Sequence, residues 1–242
     1  MSKRARFREK RRRDRIRMRA VSIFIVVGGA LLLFFLILYP SLKPIGEIAI
    51  PELRERPMAD GTAMGDPNAP VTIDIFEDFQ CPACIEFSLS VEPLLEEAYI
   101  ADGDVYYVFH HYPFLDNRYA AGGESDQAAS ASMCANDQDR FWDYHDILFA
   151  NWANENQGAF RDRRLIALAE TIDLEMVTFE ACFEARTHYD EIMQDFDLGD
   201  QMGITGTPSV FVNGEQVTPG FVPSLAALSE VIDRHLAAAA TE

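Results

Sequence analysis

Between Ala20 and Tyr39 the chain reads AVSIFIVVGGALLLFFLILY, twenty residues without a charge. At about 1.5 Å per residue a helix of that length covers roughly 30 Å, the hydrocarbon thickness of a bilayer. Core helices of soluble domains seldom stay apolar on every face for so long. Eleven of the 21 Lys and Arg residues lie in residues 1–20, whereas the first positive charges afterwards are Lys43 and Arg54. The positive-inside rule then leaves the N-terminus in the cytoplasm and everything after Tyr39 outside it, in a single-pass arrangement at the cell membrane. A cleaved signal peptide shares the basic start, but its apolar core is normally about 7–15 residues and ends in a small-x-small site. LILYPSLK offers no such site, so the run reads as a retained anchor. The expected organisation is a basic cytoplasmic tail over 1–19, a transmembrane anchor over 20–39, a Pro-, Gly- and charge-rich tether over 40–65, and a folded domain over 66–242.

The net charge of −18 hides a split. After position 20 the chain carries ten basic and 37 acidic side chains, a balance of −27. Such a domain repels phosphate backbones at every approach, which excludes nucleic acid as a partner. No lysine follows Lys43, a composition that also suits adaptation to salt. Four cysteines in 242 residues are too few for a disulfide-dense miniature scaffold. In an exported domain their disulfides can nevertheless form and persist.

Residues 71–76 alternate apolar and polar before turning fully apolar, as a core strand does. Residues 84–100 carry helical apolar spacing with a bend expected at Pro93. Residues 105–109, Val-Tyr-Tyr-Val-Phe, form a second strand, which completes a βαβ unit. Helical spacing then dominates 127–134, 140–150, 162–171, 174–185 and 187–202. Strand character returns at 209–212 and 215–218 around Asn213-Gly214, a strong hairpin signal. A last helix over 224–236 follows, with Ser224 as its N-cap. The order is βαβ, a helical insertion over about 118–202, then ββα.

Cys81-Pro82-Ala83-Cys84 sits where the first strand ends and the helix begins. First-turn amides and the helix dipole favour a thiolate there, and the i, i+3 spacing brings Cys84 within disulfide reach of Cys81. Cys81 is the expected exposed nucleophile and Cys84 the buried resolving thiol. Alone, the motif is weak evidence and also fits half of a zinc site, although no second Cys-x-x-Cys or His pair stands at ligand spacing, or a local structural disulfide, although a four-residue loop staples little. Gly206-Thr207-Pro208-Ser209-Val210 opens the late strand, and a cis bond is one way to turn a chain sharply at such a proline.

Strand, CPAC and helix, followed by Thr-Pro before a ββα unit, resemble the thioredoxin superfamily. FEDFQCPAC, the helical insertion and GITGTPSVFVNG narrow the resemblance to the DsbA-like thiol–disulfide oxidoreductases, over about residues 71–236. The resemblance implies an α/β thioredoxin fold with a helical insertion, here preceded by a single transmembrane helix. It also implies a cis Thr207–Pro208 peptide beside Cys81, the Thr207 backbone pairing with substrate, and a docking surface from Pro82, Ala83, Phe79 and Gln80. The implied activity is disulfide formation in exported proteins by dithiol–disulfide exchange at Cys81 and Cys84, with no cofactor beyond that redox-active disulfide and no metal. Its implied partners are reduced or unfolded exported proteins and a separate quinone-linked membrane thiol oxidase. The same fold run as a reductase or isomerase, and a non-catalytic module binding metal through CPAC and a histidine, remain open.

Relatives often carry a buried acid six residues before the first cysteine; that position is Ile75 here. Asp74 should face the other side of the strand, and Glu77 or Asp78 either substitutes or is a solvated loop acid. Cys134 and Cys182 both fall in the insertion. An even count in an oxidising compartment suggests that they pair, as in similar proteins with this insertion, closing a loop of about 49 residues for roughly 4 kcal/mol. Two buried free thiols are the alternative. His110 and His111 read as surface or packing residues at a strand end, His145 as a helix-packing residue, Trp142 and Trp152 as insertion core, and the acids of 137–143 as solvated helix faces.

Overall fold

The computed structural model describes residues 3–42, 44–116 and 122–241. The chain divides into two units, Met1–Gly46 and Glu47–Glu242. The first holds one helix, α1 (Lys3–Leu42), which begins within the basic tail and runs through Pro40. Its stretch Arg17–Leu36 has a mean hydropathy of 2.4 with no part buried, long and apolar enough to cross a bilayer.

The second unit is built on a five-stranded sheet of order β1-β3-β2-β4-β5. The strands are β1 (Ala63–Met64), β2 (Val71–Glu77), β3 (Val105–His111), β4 (Ser209–Val212) and β5 (Glu215–Val217). β2 and β3 are parallel, with Val71 opposite Val105 and Glu77 opposite His111. β1 joins β3, β4 joins β2 and β5 joins β4, all antiparallel. Asn213 and Gly214 turn β4 into β5 with φ of 48° and 81°, the left-handed backbone a two-residue hairpin needs.

The parallel pair is bridged by α2 (Pro82–Ser90), α3 (Glu92–Leu95) and a π-helical turn over Glu96–Ile100. The expected single helix is broken at Val91, two residues before Pro93, whose ring and missing N–H cannot continue an α-helical ladder. The insertion contributes α4 (Glu124–Asn136), α5 (Phe141–Ala150), α6 (Asp162–Thr171), α7 (Met176–Ala185) and α8 (Tyr189–Gln201). Its expected start at 118 lies outside the described residues. α4 packs on α5, α6 and α7, while α8 lies against β3 and α9 (Leu225–Ala239) against β2, β4 and β5. Ser224 caps α9 by accepting from the Ala227 amide at 3.2 Å.

Strand alternation sorts two apolar layers. Val71, Ile73 and Ile75 enter the main core with Val105, Tyr107 and Phe109. Phe76 points the other way, into a smaller cluster with Tyr112, Phe196, Ile204 and Phe211.

The tether boundary is corrected. Residues from Glu47 onward are a strap laid on the domain, not a free spacer over 40–65. Ala49 and Asn151 exchange hydrogen bonds of 2.9 and 2.7 Å. Arg56 is buried, and Ala63 and Met64 pair with β3. A side chain at Gly65 would meet the Val105 carbonyl at 2.3 Å, so the strap crosses the sheet edge where only glycine fits. Composition misled because Pro and charge mark irregular backbone, and irregular backbone can still be docked.

Candidate active site

β2 ends at Glu77, and four residues later Cys81 is the N-cap of α2, in extended conformation, with Pro82 supplying the first helical position. Proline is suited to that place because the first amides of a helix have no intrahelical acceptor. Cys81 and Cys84 are free thiols. The Thr207–Pro208 peptide is cis and brings the Thr207 carbonyl oxygen 3.2 Å from Cys81 Sγ. Pro82 is exposed, Ala83 and Thr207 half-buried, and Pro208 buried.

The two thiols are electrostatically unequal. The Cys84 thiol, hydrogen-bonded to Cys81, does most to lower the Cys81 pKa, to about 6. Partial burial opposes this, while the Thr207 side chain and the amides of Ala83 and Cys84 add to it. The Thr207 hydroxyl has no other hydrogen-bond partner, which leaves it available to the sulfur. Cys84, fully buried, is pushed well above the ordinary thiol range by desolvation and by its neighbours Cys81 and Glu77.

Cys81 is less open than an exposed nucleophile, with 6% of its surface accessible, because the Thr207–Pro208 turn stands over it. Phe79 and Gln80 are not a docking surface. Phe79 is buried among Phe109, Phe149 and His145. Gln80 is tied to the insertion through Ser125 Oγ (2.8 Å), the Asn156 amide (2.6 Å) and Trp152 Nε1 (2.7 Å). Asp78 is equally internal, accepting from Ser125 Oγ and from the amides of Gln80 and Leu115. Burial lifts its pKa to about 7 against those hydrogen bonds. Cys134 and Cys182 are joined as a disulfide with their Cα atoms 5.8 Å apart, tying α4 to α7.

A sequence model of the thioredoxin family, described as Thioredoxin, matches residues 58–234. The chain belongs to the thioredoxin family. Within that family it is a DsbA-like thiol–disulfide oxidoreductase. It is 29% identical over 180 residues to the probable disulfide bond formation protein D of Bacillus anthracis, covering 72% of this chain and 77% of that one. Oxidised BdbD from Bacillus subtilis superposes with a TM-score of 0.64 at 27% identity, covering 73% of this chain and 93% of that one. Alpha-DsbA1 from Wolbachia pipientis shares the fold with a TM-score of 0.63 at 24% identity, over 77% and 96% of the two chains.

The chain also holds a buried carboxyl, at one of the two positions that the sequence left open between a substitute acid and a solvated loop acid. Glu77 is 1% exposed, and neither carboxylate oxygen has a hydrogen-bond partner. Desolvation, then Glu92 and Cys81, raises its pKa well above the usual carboxylate range. The signal was present in the alternation: Glu77 follows Ile73 and Ile75 on the inward face of β2. Asp74, on the opposite face, pairs with His110 at 2.9 Å, as alternation requires. Arg56 from the strap is ion-paired to Glu92 (2.9 Å), Glu96 (2.7 Å) and Asp146 (2.7 Å). His145 packs among aromatic rings in the same interior, as expected, with its Nδ1 2.9 Å from Asp146 Oδ1. His110 is a salt-bridge residue between Asp74 and Asp195 (3.0 Å), and His111 is buried, its pKa lowered by desolvation to about 4. Trp142 is core, its indole N–H on the Ala63 carbonyl at 3.3 Å.

Among the described residues, two clusters have donors close enough for a metal. One includes Cys182, already in a disulfide. The other, Glu92, His145 and Asp146, already has the Arg56 guanidinium as its cation.

Proposed function

We propose that Cys81 and Cys84 are the redox pair, and that the protein oxidises thiols of exported polypeptides from an extracytoplasmic domain anchored by α1. The observation that carries this reading is the unequal pair: an acidic thiol at a helix N-cap under the Thr207 carbonyl, beside a buried thiol that resists ionisation.

In the oxidised state a substrate thiolate attacks Cys81 Sγ. The Cys81–Cys84 bond breaks, its electron pair leaves on Cys84, and a mixed disulfide forms on Cys81. A second substrate thiolate attacks the substrate sulfur of that bond, which releases an oxidised product and the Cys81 thiolate. A stabilised thiolate is a good leaving group and favours the reduced enzyme, so the pair acts as an oxidant. Thr207 and Pro208 are assigned to substrate docking, with exposed Pro82 and half-buried Ala83 beside them. The buried acid expected six residues before Cys81 is supplied two residues later, by Glu77, as the proton donor to Cys84. Reoxidation falls to a separate quinone-linked membrane thiol oxidase. The Cys134–Cys182 bond, closed within the insertion, is assigned a structural role.

The deciding experiment is a Cys84→Ser trap in cells, with identification of what stays linked to Cys81. Diverse exported cysteine proteins support the oxidase. A folded, exported trap that captures nothing defeats the reading. A reduction potential close to that of a reducing thioredoxin, about −270 mV, would instead select the reductase.

A further inference from the structure

Behind the CPAC turn, three buried polar atoms without hydrogen-bond partners converge: both carboxylate oxygens of Glu77, and Nε2 of His145. His145 Nε2 lies 4.0 Å from Glu77 Oε2 and 3.8 Å from Glu92 Oε2. Its Nδ1 is 2.9 Å from Asp146 Oδ1. Asp146 is in turn held by Arg56, and its side chain is 11% exposed. Rings of Phe79, Phe109, Trp142 and Phe149 fix the imidazole plane. Each buried unpaired polar group costs about 1–3 kcal/mol, and native interiors keep few of them. About one ångström of side-chain movement makes a hydrogen bond of either approach.

We propose that His145 is a positioning residue which stores and returns the proton exchanged between Glu77 and Cys84. This rests on the dithiol-exchange reading above. When the Cys81–Cys84 bond breaks, Cys84 leaves with the electron pair and takes the proton of the Glu77 carboxyl. The Glu77 carboxylate takes the Nε2 proton of the imidazolium, leaving a neutral ring whose Nδ1–H stays on Asp146. Reoxidation reverses the transfers. Cys84 gives its proton to Glu77 as Glu77 returns one to Nε2, and the Cys84 thiolate closes on Cys81 Sγ and expels the partner's sulfur. No proton need cross the apolar core to solvent within the cycle.

Glu92 from α3 and Asp146 from α5 present carboxylate oxygens 3.8 and 2.9 Å from the ring nitrogens, and Glu77 from β2 becomes a third anion only when a proton is needed. Opposing positive charge on the ring are Arg56 of the strap, already shared among Glu92, Glu96 and Asp146, and His111 of β3, uncharged near neutral pH. Tyr107 of β3 donates to Glu92 Oε2 at 3.3 Å and carries no charge. Cys81 at the N-cap of α2 interacts by charge with Glu77, as Glu77 does with Cys84 within α2.

The test uses the full-length protein, oxidised at Cys81–Cys84, reacting with reduced glutathione across about pH 5 to 9 in H2O and in D2O. His145→Gln and His145→Phe should slow the reaction about 100-fold or more, enlarge the D2O effect and remove the imidazole limb of the pH profile. Asp146→Asn, which leaves His145 in place, should move that limb to lower pH. Folded variants that keep the wild-type rate and profile overturn the relay, as does an Asp146→Asn profile that does not move. Failure of the wild type to react at all, or equal reaction by Cys81→Ser, condemns the exchange reading instead.

Discussion

The sulfur of Cys81 lies 3.2 Å from the main-chain oxygen of Thr207, a residue 126 positions later in the chain. The Thr207 hydroxyl, otherwise unpartnered, acts with the Cys84 thiol to lower the Cys81 pKa. Iodoacetamide alkylation of the reduced protein should therefore titrate Cys81 near the pKa of about 6, with Cys84 unreactive over the same range. Thr207→Val keeps the shape and removes the donor, and should raise the Cys81 pKa by about half a unit, the size of one modest hydrogen bond. An unmoved titration would show that the hydroxyl plays no part.

Glu77 makes a prediction about stability as well as rate. Its pKa is raised by folding, so the native state favours the protonated form. The stability that this contributes is complete below the unfolded carboxylate value of 4.5 and is lost as pH rises toward the folded value. Urea unfolding of wild type should accordingly weaken with pH above that point, relative to Glu77→Gln. The same substitution should slow glutathione reduction of the disulfide, because Gln has no proton to give. Parallel pH curves for the two proteins would refute the assignment.

Much of this was legible from local pattern. Strand alternation, the N-cap cysteine, the Thr-Pro turn and the Asn-Gly hairpin are each written in adjacent residues, and β2, α2, β4 and β5 form where those patterns lie. The parts that escaped are set by distant contacts. Nothing near Arg56 marks it for burial, because its partners Glu92, Glu96 and Asp146 come from three other elements. Gln80 looked available beside an active site until Ser125, Trp152 and Asn156 arrived from the insertion to engage it. Glu77 stood between these cases: its inward face was readable from Ile73 and Ile75, its coupling to Glu92 was not.

His110 joins two elements by charge. Burial works against its protonation, but hydrogen bonds and charges from Asp195 and Asp74 outweigh it and carry the pKa to about 9. A raised histidine contributes stability in full below its unfolded value of 6.5 and loses it as pH climbs through the folded value. The contribution is about 3 kcal/mol. His110→Gln should be destabilised most below pH 6.5 and converge on wild type above about pH 9 in urea titrations. A constant difference across that window would assign His110 a packing role only.

The Cys134–Cys182 bond closes 48 positions of chain. Chain entropy alone predicts that Cys134→Ser with Cys182→Ser costs about 4 kcal/mol of unfolding free energy. Since neither sulfur lies in the CPAC site, glutathione exchange at Cys81 should persist wherever the variant remains folded. Loss of exchange in a folded double variant would tie the insertion to the chemistry directly.

The strap gives the sharpest structural prediction. Arg56, with a side chain 1% exposed, stands among three carboxylates, and its removal leaves Glu92 and Asp146 without their guanidinium in a low-dielectric interior. Arg56→Met should therefore cost about 3–5 kcal/mol, well beyond the loss of a surface ion pair. Truncation should divide at the same place. Removing residues 1–46 keeps Arg56, the Ala49–Asn151 bonds and β1. Removing residues 1–64 also takes away Arg56, the Ala49–Asn151 bonds and β1, and should lower the midpoint by at least the Arg56→Met amount. Equal midpoints for the two truncations would return residues 47–64 to the status of a simple tether.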